Sequence, residues 1–157
     1  MEIANRSSAQ SMTAIRYICF GLSLIGLAIS VYLTIAHFTS SSILACPNTG
    51  TINCAKVTTS AQSYFLKIPV AIWGLIYYLY LSLLNSPTGF RNPKLRTLRL
   101  VSMVAGIAFV LWLISAELLI INSICLWCTS VHLVTVVLFG AVVYDYFSSA
   151  PEQEALK

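Results

Sequence analysis

The sequence predicts an all-α integral membrane protein: a bundle of four transmembrane helices, with an outer loop that carries a short surface helix. Three observations lead there. Of the 157 residues, 58% are hydrophobic and 9% charged, with a mean hydropathy of +0.84, whereas soluble domains are about a quarter charged. Four apolar stretches fall in the range of roughly 17–25 helical residues that crosses a hydrocarbon core. The remaining polar residues are gathered between and outside these stretches, and two pairs of cysteines share one side.

The first stretch runs from about Ala14 to Phe38 and the second from about Ile68 to Leu84. The third runs from about Leu100 to Ile121 and the fourth from about Leu126 to Phe147. Lipid leaves no backbone group free to bond water, so only helices or closed barrels span it. The alternating pattern of barrel strands is missing from all four stretches. The first stretch is too long for a signal-peptide core and has no small-residue cleavage site behind it, so it reads as a retained helix. One domain over residues 1–157 is expected.

Lysines and arginines set the orientation. Arg6 and Arg16 precede the first helix, and Arg91, Lys94, Arg96 and Arg99 crowd the link between the second and third. The other side carries only Lys56 and Lys67. The positive-inside rule then puts both termini in the cytoplasm and the loop, residues 39–67, on the periplasmic face of an inner membrane. The net charge of +4 follows this topology and is no nucleic-acid footprint. Within the loop, Thr39–Thr51 is rich in Ser, Asn, Thr and Gly and is expected to be mobile. Ala55–Leu66 is expected to form the surface helix, with Val57, Ala61, Tyr64 and Phe65 on one face. The tail, Pro151–Lys157, is polar.

The cysteines carry the chemistry. Cys125 and Cys128 sit two residues apart at the start of the fourth helix, where the helix dipole favours thiolate. Cys46 and Cys54 lie eight residues apart in the loop and can bridge one another or reach Cys125. The periplasmic face permits disulfides. A relay follows, in which an external dithiol reduces Cys46–Cys54, and that pair reduces Cys125–Cys128 by thiol–disulfide exchange. The second pair opens into lipid, so its electrons leave to a lipid-soluble two-electron acceptor, and a quinone fits. The alternatives are a static pair of disulfides in a non-catalytic scaffold, and a zinc site, which the missing regular ligand knuckles disfavour. Cys19, inside the first helix, reads as a small packed hydrophobe.

Other residues keep two readings. Glu117, in the third helix, is either a proton carrier or an interhelical hydrogen-bond partner. Trp73 and Trp127 suit either a flat quinone wall or the interfacial belt. Tyr77, Tyr78 and Tyr80 read as packing and inner belt, and His37 and Asp145 as residues solvated near helix ends.

Taken together, several motifs resemble the vitamin K epoxide reductase family, particularly its bacterial stand-alone members. They are Cys46-Pro47-Asn48-Thr49-Gly50, the run from Asn53-Cys54 to Ser60, Ile68-Pro69-Val70-Ala71-Ile72-Trp73-Gly74, and Cys125-Leu126-Trp127-Cys128. The resemblance covers nearly the whole chain. It implies Cys125–Cys128 as the active-site pair, with Cys128 beside the quinone, and Cys46–Cys54 as the loop pair, with Cys54 bridging transiently to Cys125. It further implies that Ser60 holds the loop or the quinone region. His132, one turn after Cys128, stands where the vertebrate enzymes place a pocket tyrosine. Val70 stands near an asparagine of the vertebrate pocket, which favours plain quinone reduction over epoxide reduction. Many bacterial members carry a fused thioredoxin-like domain, and this chain ends soon after the fourth helix. The expected donor is therefore a separate thioredoxin-fold protein, and the expected acceptor ubiquinone or menaquinone. The competing readings are a vitamin K epoxide or quinone reductase of an endomembrane, and the disulfide-stapled scaffold.

Overall fold

A computed structural model describes residues 2–39, 43–47, 49–90, 92 and 94–148, the side chains of 2–9 and 11 excepted. The expectations placed on the Arg6 side chain, Ser40–Ser42, Asn48, Arg91 and the tail from Pro151 therefore lie outside the described residues.

The chain is helical nearly throughout. Its elements are α1 (Glu2–Phe38), α2 (Cys54–Thr58), α3 (Val70–Leu84), α4 (Pro87–Phe90), α5 (Lys94–Ser115, continued by a π turn over Ala116–Ile121) and α6 (Leu126–Ser148). Among the described residues three helices are long and apolar enough to cross a membrane, over Met12–Phe38, Lys94–Ile121 and Leu126–Ser148. The 15-residue α3 is equally apolar but shorter. Both α1 and α5 begin earlier than their apolar stretches, α1 at Glu2 and α5 at Lys94. Hydropathy marks where lipid begins, whereas a helix runs until its backbone pattern is broken.

Helix α1 packs on α3 and α6, and α5 packs on α6. Their shared core is Cys19, Tyr78, Leu81, Met103, Leu138 and Val142, while Leu24, Ile35, Leu83, Leu111 and Leu133 face outward, as lipid-facing positions do. Glycines set two close approaches. A methyl group at Gly26 would overlap the Tyr78 ring, and one at Gly106 the Tyr77 hydroxyl. Tyr77 can thus lie against α5 and donate to Ser102 O at 2.9 Å. Tyr78 crosses to α6, with its hydroxyl 2.7 Å from Thr135 Oγ1. Bonds like these serve as polar glue where lipid offers no partner.

Asp145 departs from the expectation of a solvated helix end. It is 4% exposed and pairs with Arg16 at 3.3 Å and Arg99 at 3.7 Å. Arg99 is itself buried and lies over the Phe90 ring at 3.7 Å. A charge removed from water needs a partner, and this triad ties α1, α4, α5 and α6 together at the end opposite the cysteines.

The loop differs from the predicted helix over Ala55–Leu66. Asn53 caps α2 by accepting the Lys56 N–H at 2.9 Å, but the helix stops at Thr58. The hydroxyls of Thr58 and Thr59 bond back to the Cys54 and Ala55 carbonyls, and Ser60 Oγ donates to Val57 O at 2.8 Å. Side chains that take backbone carbonyls compete with helix continuation. A 3₁₀ turn (Ala61–Ser63) follows, then a two-residue hairpin of β1 (Tyr64–Phe65) and β2 (Ile68–Pro69). Leu66 and Lys67 turn the hairpin with φ of 53° and 65°, a backbone geometry that favours glycine or asparagine. Tyr64 and Phe65 therefore sit on a strand rather than on a helix face.

Candidate functional site

The start of α6 and the loop are stitched together by main chain. The Asn53 N–H donates to Ile124 O at 3.1 Å, and the Ile124 N–H to Thr51 O at 2.9 Å. Each of these residues adjoins a cysteine or lies close to one, so the pairing brings Cys54 and Cys125 into one buried cluster with Val57 and Ile121. Cys46, Cys128, Leu44 and Trp127 pack around it. Cys46 and Cys54 form a disulfide with Cα atoms 6.1 Å apart, while Cys125 and Cys128 are free thiols. Cys54 is 2% exposed and Cys125 fully buried.

The segment carrying Cys46 is held more firmly than a mobile stretch would be. The Tyr32 hydroxyl donates to Ile43 O at 2.7 Å and accepts the Ala45 N–H at 3.0 Å. Trp127 Nε1 donates to Ala45 O at 3.1 Å, and its ring packs on Tyr32 with centroids 4.7 Å apart.

At the end of α5, the π turn closes with Asn122 in the left-handed region, and Ser123 N–H donates to Glu117 O at 3.1 Å. Buried Glu117 then directs Oε2 to the Cys125 N–H at 3.4 Å. One turn into α6, the Cys128 N–H donates to Cys125 Sγ at 3.3 Å. The Cys125 thiol is held below its usual pKa, first because the Cys128 thiol donates to it and then because this N–H does, and together these outweigh burial.

Below the cysteines lies a cavity of about 330 Å³, enclosed by α1, α3, α5 and α6 and reached by the loop. Most of its wall is apolar or aromatic, including Val70, Trp73, Phe109 and Leu113, with Tyr77 and Tyr78 also on it. Cys128, Glu117 and His132 contribute its polar groups near the cysteines. Among the described residues His132 has no hydrogen-bond partner, although it is buried. Phe65 reaches the cavity from the hairpin and packs on Trp73 and Phe109, and Trp73 Nε1 donates to Phe65 O at 3.1 Å.

The residues singled out from sequence divide accordingly. Cys128, His132, Ser60, Val70 and Trp73 line the cavity, as does Glu117. Trp127 does not; it faces the loop segment of Cys46. Tyr77 and Tyr78, read as packing and belt, line the cavity as well. His37 also lines it and meets the Tyr64 hydroxyl at 3.2 Å. Gly106 leaves room beside α5 for the Tyr77 hydroxyl, a pairing visible only once both helices are aligned.

A helical membrane protein built around a disulfide and a neighbouring dithiol, with an apolar cavity at the dithiol, defines the class. The Vitamin K epoxide reductase family matches residues 17–143, most of the chain, and the chain belongs to that family. No curated protein matches it. Membership makes it a membrane oxidoreductase of a family associated with quinones and with thioredoxin-like partners.

Proposed function

We propose that the protein is a thiol oxidase of the bacterial inner membrane. It would oxidise a separate periplasmic thioredoxin-fold protein and pass the electrons to ubiquinone or menaquinone, supporting disulfide formation. The observation that carries this reading is the main-chain stitch, which seats Cys54 against Cys125 while Cys128 faces the cavity.

The electron route runs in three exchanges. The partner's dithiol reduces Cys46–Cys54 and leaves as a disulfide. The Cys54 thiolate attacks Cys125 of an oxidised Cys125–Cys128 pair, expelling the Cys128 thiolate. Cys46 then attacks Cys54, re-forming the loop disulfide and freeing Cys125. The exchanges end with a loop disulfide beside two free thiols, and the pairing of Cys46 with Cys54 beside free Cys125 and Cys128 supports this reading. The dithiol then yields two electrons to the quinone.

The cavity suits a quinone head group. Its volume of about 330 Å³ lies within the usual range for ligand pockets, its walls are flat and apolar, and His132 offers an unpartnered imidazole to a quinone oxygen. Val70 gives an epoxide oxygen no donor, which favours quinone reduction. Ser60 holds the turn between α2 and the hairpin through its bond to Val57 O, and Trp73 anchors the hairpin. In this reading residues 1–157 form one domain with both termini cytoplasmic. Helix α3 is a fourth span, its helical length of about 22 Å extended by the hairpin strand that leads into it.

The test is quinone reduction by the purified protein in detergent, with a reduced thioredoxin-fold donor. Turnover in the parent that is lost in both Cys128→Ala and Cys54→Ala supports the relay. Unchanged turnover in either variant rejects it.

A further inference from the structure

The relay leaves two protons to account for, and one buried carboxyl stands where they must pass. Resting on the quinone-reductase reading above, we infer that Glu117 carries the Cys125 proton to the bound quinone.

Three features place it there. Glu117 Oε2 is 3.4 Å from the Cys125 backbone nitrogen, beside the reacting pair. The same side chain lines the cavity that Cys128 lines, so it borders both the donor and the acceptor of the proton. The π turn supplies the third. It gives the Glu117 main-chain carbonyl to the Ser123 N–H and leaves the side chain to point at α6, in a type of bulge often found at functional sites. The titratable groups around it are Cys125, whose N–H it accepts, and, sharing the cavity wall, Cys128, His132, His37, Tyr77 and Tyr78. Among the described residues no lysine or arginine lines the cavity, so this carboxyl is not spent neutralising a cation of theirs there.

The step balances. The Cys125–Sγ to Cys128–Sγ bond forms as both S–H bonds break, and the electron pair passes from Cys128 to the quinone. The Cys128 proton goes to one quinone oxygen directly. The Cys125 proton goes to the Glu117 carboxylate and from there to the other oxygen, giving a quinol and regenerating the carboxylate. Glu117 also caps the approach to α6, which would be its only duty if it were structural, so the test must separate the two.

Glu117→Gln keeps the shape and the acceptor for the Cys125 N–H but cannot carry a proton. The first readout needs no quinone: infrared difference spectra between the dithiol and disulfide forms of the quinone-free protein. The parent should show a carboxyl band changing on oxidation, and Glu117→Gln should lack it. The second readout is turnover, where Glu117→Gln should lower kcat on the order of 100-fold, the usual share of a positioned proton carrier, with the KM for quinone nearly unchanged. Trapping of the Cys54–Cys125 bridge in a Cys46→Ser, Cys128→Ser background should be unaffected, which shows that the variant folds. An unchanged infrared band in Glu117→Gln, or parental turnover, overturns the inference. Absence of quinone reduction by the parent, or its persistence in Cys128→Ala, instead removes the relay reading on which the inference rests.

Discussion

Asn53 offers a graded test of how the two cysteine pairs meet. It acts twice: its side chain caps α2 through the Lys56 N–H, and its backbone N–H donates to Ile124 O. Asn53→Ala removes the cap, worth about 1 kcal/mol, and keeps the backbone N–H bond, so the docked loop should lose about fivefold in population. Asn53→Pro removes both bonds. It also demands a φ near −65°, where the native residue has −150°. A backbone bond and a strained junction together add about 2 kcal/mol, and the combined loss of about 3 kcal/mol corresponds to roughly 100-fold. The assay is the rate of Cys54–Cys125 bridge formation in a Cys46→Ser, Cys128→Ser background, followed on non-reducing gels. The expected order is parent, then Asn53→Ala, then Asn53→Pro, with gaps near those sizes. Bridge formation in Asn53→Pro at the parental rate would refute the idea that main-chain pairing delivers Cys54.

Three further outcomes are expected. Asp145→Ala should destabilise the detergent-solubilised protein by about 3–5 kcal/mol, because it leaves buried Arg99 without its counter-charge. Arg16→Ala, which removes a partly exposed partner, should cost under about 1 kcal/mol, and denaturant unfolding reads both. In reduced Cys19→Ala protein, thiolate absorbance should rise at a pH below that of free cysteine, and Cys128→Ala should move that rise upward. Because the folded Cys125 pKa is depressed, its stability contribution is complete above the unfolded value, about 8.5. It is lost as pH falls through the folded one. His132→Leu should raise the KM for quinone about tenfold, one hydrogen bond's worth, while Cys54–Cys125 bridging stays unchanged.

The membrane helices and both cysteine pairs were legible because each is a local signal. A run of apolar residues, or two cysteines a turn apart, declares itself without reference to the rest of the chain. The hairpin was not legible, because Leu66 and Lys67 carry no mark of the left-handed turn they make. Nor does Thr58-Thr59-Ser60 announce that its hydroxyls will end α2 rather than ride on it. The ion pairs of Asp145 are not legible because its partner Arg16 is 129 residues away in the chain, and a sequence shows only that the carboxyl lies near a helix end. Trp127 follows the same rule. Its position beside Cys128 points to the cavity, whereas its ring turns to the neighbouring loop.

The unequal burial of the four sulfurs amounts to insulation. Cys54 is 2% exposed and Cys125 fully buried, whereas Cys46, in the loop, and Cys128, at the cavity, are partly exposed. Under the proposed relay, a soluble thiol would meet this wiring at Cys46, its outer terminal, while Cys128 opens to the cavity. Small reductants that wander past would find the inner junction of Cys54 and Cys125 sheathed, and the current delivered to the quinone pool would be metered by whichever protein docks at Cys46.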